Sequence, residues 1–225
     1  MSAVTRTMAG WKAGTAFRLP ITAIRLMPVS GRCAWSTRTS CSPARASVRM
    51  GHRDMEILTY VLSGTLHHRD STGSSGDIRY GEVQVMSAGT GVQHSEVNPS
   101  PDEAVHLLQT WILPDRQGLT PGYQQKEFPL EDKLARWCLL ASPDAAQGSL
   151  LIHQDARVFA ARLDGAEMLD YPIAGGRKVY LHVARGSLQA NGYALAAGDA
   201  LMYTEEGRVE LSAGKEAEVL LFDMG

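Results

Sequence analysis

The sequence is short of cysteine, of long apolar runs and of net charge, and each shortage excludes a class of protein. Three of the 225 residues are cysteine (Cys33, Cys41 and Cys138), and none forms a Cys-x-x-Cys pair. An odd, sparse set argues against a disulfide framework and is typical of a reducing compartment, so we expect a cytoplasmic protein. No apolar run approaches the roughly 18 residues of a membrane helix. The net charge of −2 gives no reason to expect a nucleic-acid partner.

Acidic residues and histidines are missing from residues 1–51, which contain eight Lys or Arg. All 24 acidic residues and all seven histidines follow Gly51. We therefore treat residues 1–51 as an atypical basic segment with three open interpretations: an organellar leader, a disordered basic tail, or the product of a shifted reading frame.

From Met55 onward, the pattern predicts β structure. Short runs rich in β-branched and aromatic residues alternate with Gly-rich turns, which is typical of an all-β barrel or sandwich. Residues 69–76 are polar and Gly/Ser-rich, which predicts a hairpin loop. Residues 131–140 predict a short helix or a connector. The predicted strands are 55–62, 65–68, 78–80, 83–86, 92–97 and 105–113.

The C-terminal half repeats this layout. Val61-Leu-Ser-Gly64-Thr-Leu66 is similar to Val183-Ala-Arg-Gly186-Ser-Leu188, and Gly81-Glu-Val-Gln-Val-Met86 is similar to Gly198-Asp-Ala-Leu-Met202. Two repeats in the same order predict a duplicated β-barrel. We place the domains at 52–135 and 136–225, with the boundary near 125–150.

Four residues form a candidate metal site: His52, Glu56, His94 and Glu96. His94 and Glu96 are two apart on one predicted strand, so their side chains share a face. Imidazole and carboxylate ligands suit a non-haem Fe(II) site. An isolated His-x-Glu is more often structural than functional, but the upstream His52 favours a site.

The other histidines are interpreted as structural. His67 and His68 lie beside Asp70 near the predicted hairpin tip, where we expect solvated side chains, with adventitious metal binding as the alternative. His153 and His182 are expected to pack in or beside strands. His106 receives no role, and Cys138 is expected to be a small buried apolar residue.

These motifs resemble those of the pirin family. The similarity is carried by His52-Arg-Asp-Met-Glu56, Thr59-Tyr-Val-Leu-x-Gly64, Met86-Ser-Ala-Gly-Thr-Gly-Val-x-His94-Ser-Glu96 and Leu108-Gln-x-Trp-Ile112. It is dense from His52 to Tyr123 and looser to Gly225. Pirins are bicupins, so the resemblance implies two tandem cupin barrels.

The resemblance also implies a ligand set for one iron ion. Pirins use both histidines of a His-x-His motif together with the His and Glu of a His-x-Glu motif. On this chain those positions are His52, His94 and Glu96, while Met50 stands where the first histidine is expected. We therefore expect weak, substoichiometric Fe(II) binding and little or no dioxygenase activity from the chain as it stands. Glu56 matches a cupin glutamate and is a candidate base or outer-sphere partner.

The C-terminal copy has no corresponding ligands. Ala174, Lys178, Leu211 and Ala213 stand at the positions equivalent to His52, Glu56, His94 and Glu96. We therefore expect this half to be structural or to shape a substrate site.

A shifted reading frame accounts for the missing histidine. Each residue from Phe17 to Met50 can be encoded by several codons. One permitted choice of codons, read in triplets that start at the third base of each codon, encodes a pirin-like segment with no stop codon. Its last residue is a histidine that overlaps the codons of Arg49 and Met50. We expect residues 12–51 to be poorly ordered and the edge strands of the first barrel to be lost.

The resemblance implies two alternative functions, and a third possibility is that the chain as translated has neither. The first is a quercetin 2,3-dioxygenase, which uses Fe(II) and O2 on an aromatic small molecule. The second is a non-enzymatic, redox-responsive iron protein that binds other proteins. We expect a monomer in either case.

Overall fold

The computed structural model describes residues 5–7, 24–31 and 49–225, and β-sheet dominates them. Two short 3-10 helices, Leu130–Lys133 and Ala146–Gly148, interrupt the strands. Among the described residues, no helix is long and apolar enough to cross a membrane. The strands are β1 (Thr5–Thr7), β2 (Ile24–Gly31), β3 (Met50–His52), β4 (Glu56–Ser63), β5 (Thr65–Asp70), β6 (Ser75–Arg79), β7 (Glu82–Ser87), β8 (Val92–Val97), β9 (Val105–Ile112), β10 (Gly122–Glu127), β11 (Cys138–Ser142), β12 (Leu150–Leu151), β13 (Ala156–Gly165), β14 (Leu169–Ile173), β15 (Lys178–Ala190), β16 (Tyr193–Ala196), β17 (Ala200–Tyr203) and β18 (Gly207–Met224).

The chain divides into two compact units, and each unit is built from segments that are not continuous in sequence. Of the described residues, the first unit contains 24–31, 49–127 and Leu150–Gln154, and the second contains 5–7, Phe128–Ser149 and Asp155–Gly225. The all-β fold class predicted from the sequence is confirmed, whereas the continuous domain limits stay a prediction.

Two sheets build the first unit. One has the order β10-β7-β4-β9-β2 and the other the order β3-β8-β5-β6. Alternation along the strands sends every second side chain inward. Buried apolar residues fill one part of this interior (Val61, Leu66, Ile78, Val105 and Leu107). Polar residues occupy another part, which is the candidate site.

Strand β2 lies at one edge of the first unit, in the part of the chain where the sequence leads us to expect lost edge strands. Strand β2 pairs antiparallel with β9 over eight residues, from Ile24 opposite Ile112 to Gly31 opposite Val105. Ile24 and Val29 are β-branched, which favours a strand, and Pro28 is tolerated because β2 is an edge strand. The expected poor order of residues 12–51 otherwise concerns residues outside the described ranges.

The second unit has an interior packed with apolar side chains. Its sheet runs β1-β17-β15-β18-β13-β11, with β14 paired to β18 and β16 to β15. Leu211, which stands at the position equivalent to His94, is buried in this core. The clustered interior of this unit is therefore apolar and offers no ligand atom at the position equivalent to His94.

Two glycines at matched positions of the repeat have the same conformation. Gly64 has φ 73° and lies between β4 and β5, and Gly186 has φ 63° and lies within β15. A Cβ on Gly64 would lie 2.6 Å from the carbonyl oxygen of Ala104, and one on Gly186 would lie 2.2 Å from that of Lys215. Only glycine tolerates both the positive φ and the close backbone approach.

Candidate metal centre

The sheet β3-β8-β5-β6 supplies the polar cluster of the first unit. Strand β8 lies between β3 and β5, and His94 is opposite Met50 on one side and Asp70 on the other. Alternation places Val92, His94 and Glu96 on the buried face of β8, as their burial pattern shows. His94 and Glu96 therefore share the inner face that the sequence predicts.

His94 is buried without a hydrogen-bond partner among the described residues, and its Nδ1 lies 3.7 Å from Glu96 Oε1. Its side chain is 1 % exposed, and neither Nδ1 nor Nε2 has a hydrogen-bond partner among the described residues. Burial, together with the neighbouring His52 and His68, lowers the pKa of His94 to about 4. The ring is therefore neutral near pH 7 and has a free lone pair, which is the state that binds a metal ion.

His52 approaches His94 from the neighbouring strand. The two ring centroids are 4.8 Å apart in an edge-to-face arrangement, and the His52 ring also lies 5.0 Å from the Trp111 ring. His52 is half-buried, and burial lowers its pKa. Two neutral imidazoles thus meet at one point of the inner face.

Glu96 is held from the opposite sheet by Gln109. The amide nitrogen Nε2 of Gln109 donates to both carboxylate oxygens of Glu96, at 2.9 and 3.1 Å, and contacts Thr59 Oγ1 at 3.4 Å. Trp111 Nε1 in turn donates to Gln109 Oε1 at 3.2 Å. Burial raises the pKa of Glu96 to about 7, although the bonds from Gln109 oppose this rise. A cation beside Glu96 would favour its ionised form.

His68 belongs to the same cluster, so the prediction of a solvated side chain is wrong for this residue. Strand β5 continues to Asp70, past the predicted start of the loop, and puts His68 opposite Glu96. Its side chain is fully buried, whereas that of His67 faces outward, is 40 % exposed and contacts Asp77. The alternation of Leu66, His68 and Asp70 is the sequence signal that identifies this face.

Three neighbours fix the His68 ring. Its Nε2 lies 3.0 Å from Asp70 Oδ2, its Nδ1 lies 3.2 Å from Gln84 Nε2, and its ring stacks on that of Tyr123 at 4.9 Å. Burial lowers the pKa of His68, against the opposing effect of Asp70.

Asp70 is itself fixed by the turn that follows it. Its Oδ1 accepts hydrogen bonds from the backbone nitrogens of Thr72 and Ser74, and from the Thr72 hydroxyl. Burial alone would raise the pKa of Asp70, but these bonds and the one from His68 hold it below its usual value. Asp70 is therefore an ionised acceptor.

The cluster has the composition and spacing of a metal site. The ligand atoms of His68, His94 and Glu96 all lie within 4.8 Å of one another. Ligands bound at about 2.0–2.2 Å from one ion lie roughly 3–4 Å apart. An ion would thus need to draw these atoms together by a small side-chain movement. The buried, unpartnered nitrogens of His94 indicate that the cluster fits such an ion.

Glu56 is not brought together with this cluster. Alternate residues of a strand face opposite sides of the sheet. Glu56 lies one residue before Ile57 and three before Thr59 on β4, so its side chain points to the opposite face from theirs. Its Oε2 accepts from Ser87 Oγ at 2.9 Å and lies 3.4 Å from His153 Nδ1. The role of Glu56 as a candidate base stays a prediction, and its observed contacts anchor the segment that carries His153.

Two family models match the chain. The model described as "Pirin" matches residues 39–112, and the model described as "Quercetinase C-terminal cupin domain" matches residues 139–224. The first range contains all the residues of the polar cluster, and the second covers most of the other unit.

Named relatives and solved structures agree with these matches. A quercetin 2,3-dioxygenase from Escherichia coli strain K12 is 44 % identical over 173 residues, which cover 77 % of this chain and 74 % of the relative. The crystal structure of YhhW from E. coli has a TM-score of 0.81 at 32 % identity and covers 99 % of this chain and 98 % of YhhW. A second structure, described as bacterial pirin YhhW in complex with nickel(II), has a TM-score of 0.80 at 32 % identity, with 99 % of each chain covered.

Proposed function

This chain belongs to the pirin family, and on that premise we propose that it is a metal-dependent dioxygenase of the quercetin 2,3-dioxygenase kind, with Fe(II) as its metal. The name of its E. coli relative and the nickel(II) complex of YhhW support this proposal. Imidazole and carboxylate ligands accept several divalent ions, and an oxygenase reaction favours iron among them.

One observation carries the proposal: His94 is buried with both ring nitrogens unpartnered among the described residues. Leaving a buried polar atom unpaired costs about 1–3 kcal/mol. A metal ion at one nitrogen offsets this cost. With His52, whose ring contacts that of His94, and with Glu96, two residues along β8, the proposed ligand set has two imidazoles and one carboxylate.

When bound, a divalent metal supplies a Lewis acid that lowers the pKa of a substrate hydroxyl and leaves coordination positions open for the substrate and O2. Gln109 holds the Glu96 carboxylate in one orientation through bonds to both of its oxygens. Trp111 fixes Gln109 in turn. Burial of His94 and Glu96 keeps bulk water from competing with a bound oxygen ligand.

An apolar wall beside His52 favours an aromatic substrate. Ile57, Met86 and Val92 form a buried cluster, against which Met55 and Trp111 pack while remaining partly exposed. The Trp111 ring contacts the His52 ring. A flat, mostly apolar flavonol with adjacent oxygen atoms would place its rings on this wall and its oxygens toward the ligand cluster.

The test is aerobic turnover of quercetin by protein loaded with Fe(II) under anaerobic conditions. We expect slow loss of the flavonol absorbance with matching O2 consumption, faster loss in M50H, and none in H94Q. H67Q is the matched control, because His67 lies on the outer face. Equal rates in the chain as it stands and in H94Q would contradict the proposal. Full metal loading without turnover of any flavonol would favour the non-enzymatic alternative.

A further inference from the structure

We infer that His68 serves as the fourth metal ligand of this chain, in place of the imidazole that is missing at Met50. The inference rests on the proposed metal site of His52, His94 and Glu96 and concerns only how that site is completed. A thioether such as that of Met50 is a soft group and a poor ligand for Fe(II). A further imidazole is therefore needed if this chain is to hold the ion with four protein ligands.

The sheet register brings His68 to the cluster. Met50 and Asp70 flank His94 from its two sides, and His68 lies directly opposite Glu96. The rings of His68 and His94 have centroids 5.4 Å apart. A ligand from β5, His68, can thus replace one from β3, at position 50, while the ion stays beside His94 and Glu96 of β8.

The contacts of His68 determine which nitrogen is available. Ionised Asp70 can only accept, so Nε2 of His68 carries the proton and donates it at 3.0 Å. The lone pair is then on Nδ1, which points to the amide nitrogen of Gln84 at 3.2 Å. A histidine that donates to a carboxylate through one nitrogen and binds a metal through the other is a recurrent arrangement.

Coordination by His68 has one identifiable cost. Nδ1 must give up the hydrogen bond that it accepts from Gln84 Nε2. The Gln84 amide then has to turn, and its Oε1 has no hydrogen-bond partner among the described residues to oppose that movement. His68 is therefore a usable but imperfect substitute for a histidine at position 50.

The experiment counts the coordinated histidines with Co(II) as the probe metal. In Co(II) protein, each coordinated imidazole that keeps a protected N–H gives one strongly shifted, exchangeable proton resonance. The purified full chain and its H68Q and H67Q variants are compared by this spectrum and by chelator competition. Glutamine at position 68 keeps a polar group beside Asp70, and thermal melting confirms that each variant is folded.

We expect three shifted resonances from the full chain and two from H68Q, with affinity for Co(II) at least about tenfold lower in H68Q. H67Q should match the parent chain, and M50H/H68Q should regain the lost affinity. If H68Q binds as tightly as H67Q and shows the same resonances while H94Q loses the ion, the inference is wrong and the metal site stands. If the parent chain and every variant fail to hold Co(II), the inference and the metal site both fall.

Discussion

His68 of β5 lies directly opposite Glu96 of β8, and both side chains are buried on the inner face of the sheet. Residues at opposite positions of an antiparallel pair have Cβ atoms about 4.5–5.5 Å apart, which is within reach of a shared ion. Because His94 is two residues from Glu96 on β8, one face of two strands brings two imidazoles and a carboxylate together. His52 adds a third imidazole from β3.

Gln109 should control metal affinity although it is not a ligand. Its amide nitrogen bonds both oxygens of Glu96, so Q109L would leave that carboxylate unfixed in a buried site. We expect affinity for a divalent ion to fall by about 10–100-fold, as for other residues that orient ligands. Calorimetric titration of metal measures this. Q93L, on the exposed face of β8, is the control and should leave the affinity unchanged.

Restoring the histidine that the family has at position 50 should strengthen the site. In M50H the new imidazole lies opposite His94, and His68 no longer has to give up its bond from Gln84. We expect metal affinity to rise about tenfold or more. M168H places a histidine at an exposed position of the other unit and should change nothing. Equal affinities of M50H and the parent chain would show that position 50 is outside the site.

Much of this architecture could be predicted from the sequence, and the exceptions have local causes. The run Met55–Leu62 predicts β4, and the turn at Gly64 follows from the Ser-Gly pair that ends it. His94 and Glu96 share a face, as their spacing requires. His68 was missed because the Gly- and Ser-rich stretch after Arg69 predicts a solvated tip, whereas pairing with β8 extends β5 to Asp70.

Two other points could not be read from local pattern. Glu56 begins the strand that carries Thr59, but which face of that strand is inward depends on its pairing with β7 and β9. The pairing of Ile24–Gly31 with β9 is likewise a long-range contact. The basic, acid-free composition of the surrounding segment does not predict a strand there. In both cases tertiary contacts, which the sequence pattern does not contain, decide the outcome.

The gene should contain two compensating frame changes that bracket codons 12–50. The acid-free composition of residues 1–51 and the pirin-like segment recovered in the shifted frame are the reasons for this expectation. Resequencing of the source DNA across codons 10–52 is the measurement. A confirmed frame, together with related genes that encode the same residues from Lys12 to Met50, would contradict it.

Stability of the metal-free protein should fall as the pH falls from about 6.5 to 4. Burial lowers the pKa of His182 from 6.5 to about 4, against an opposing effect of Asp199, so the unfolded chain binds a proton in this window that the folded chain does not. The free energy of unfolding therefore keeps its full value above pH 6.5. It falls by about 1–3 kcal/mol as the pH drops toward 4. Melting temperatures of the parent chain and H182L at pH 7.5 and 5 measure the difference. A pH dependence that is unchanged in H182L would contradict this assignment, and H67Q is the control.

The metal centre itself is tested most directly by the metal content of the purified chain after anaerobic loading with Fe(II) and dialysis, measured beside H94Q and E96Q. We expect the parent chain to bind up to one ion, more weakly than M50H, and the two variants to retain essentially none. Removing His94 takes away the buried imidazole whose nitrogens have no other described partner, and removing Glu96 takes away the carboxylate charge. Equal iron contents of the parent chain and H94Q would contradict the assignment of this cluster as a metal site. The absence of iron from both the parent chain and M50H would contradict it as well.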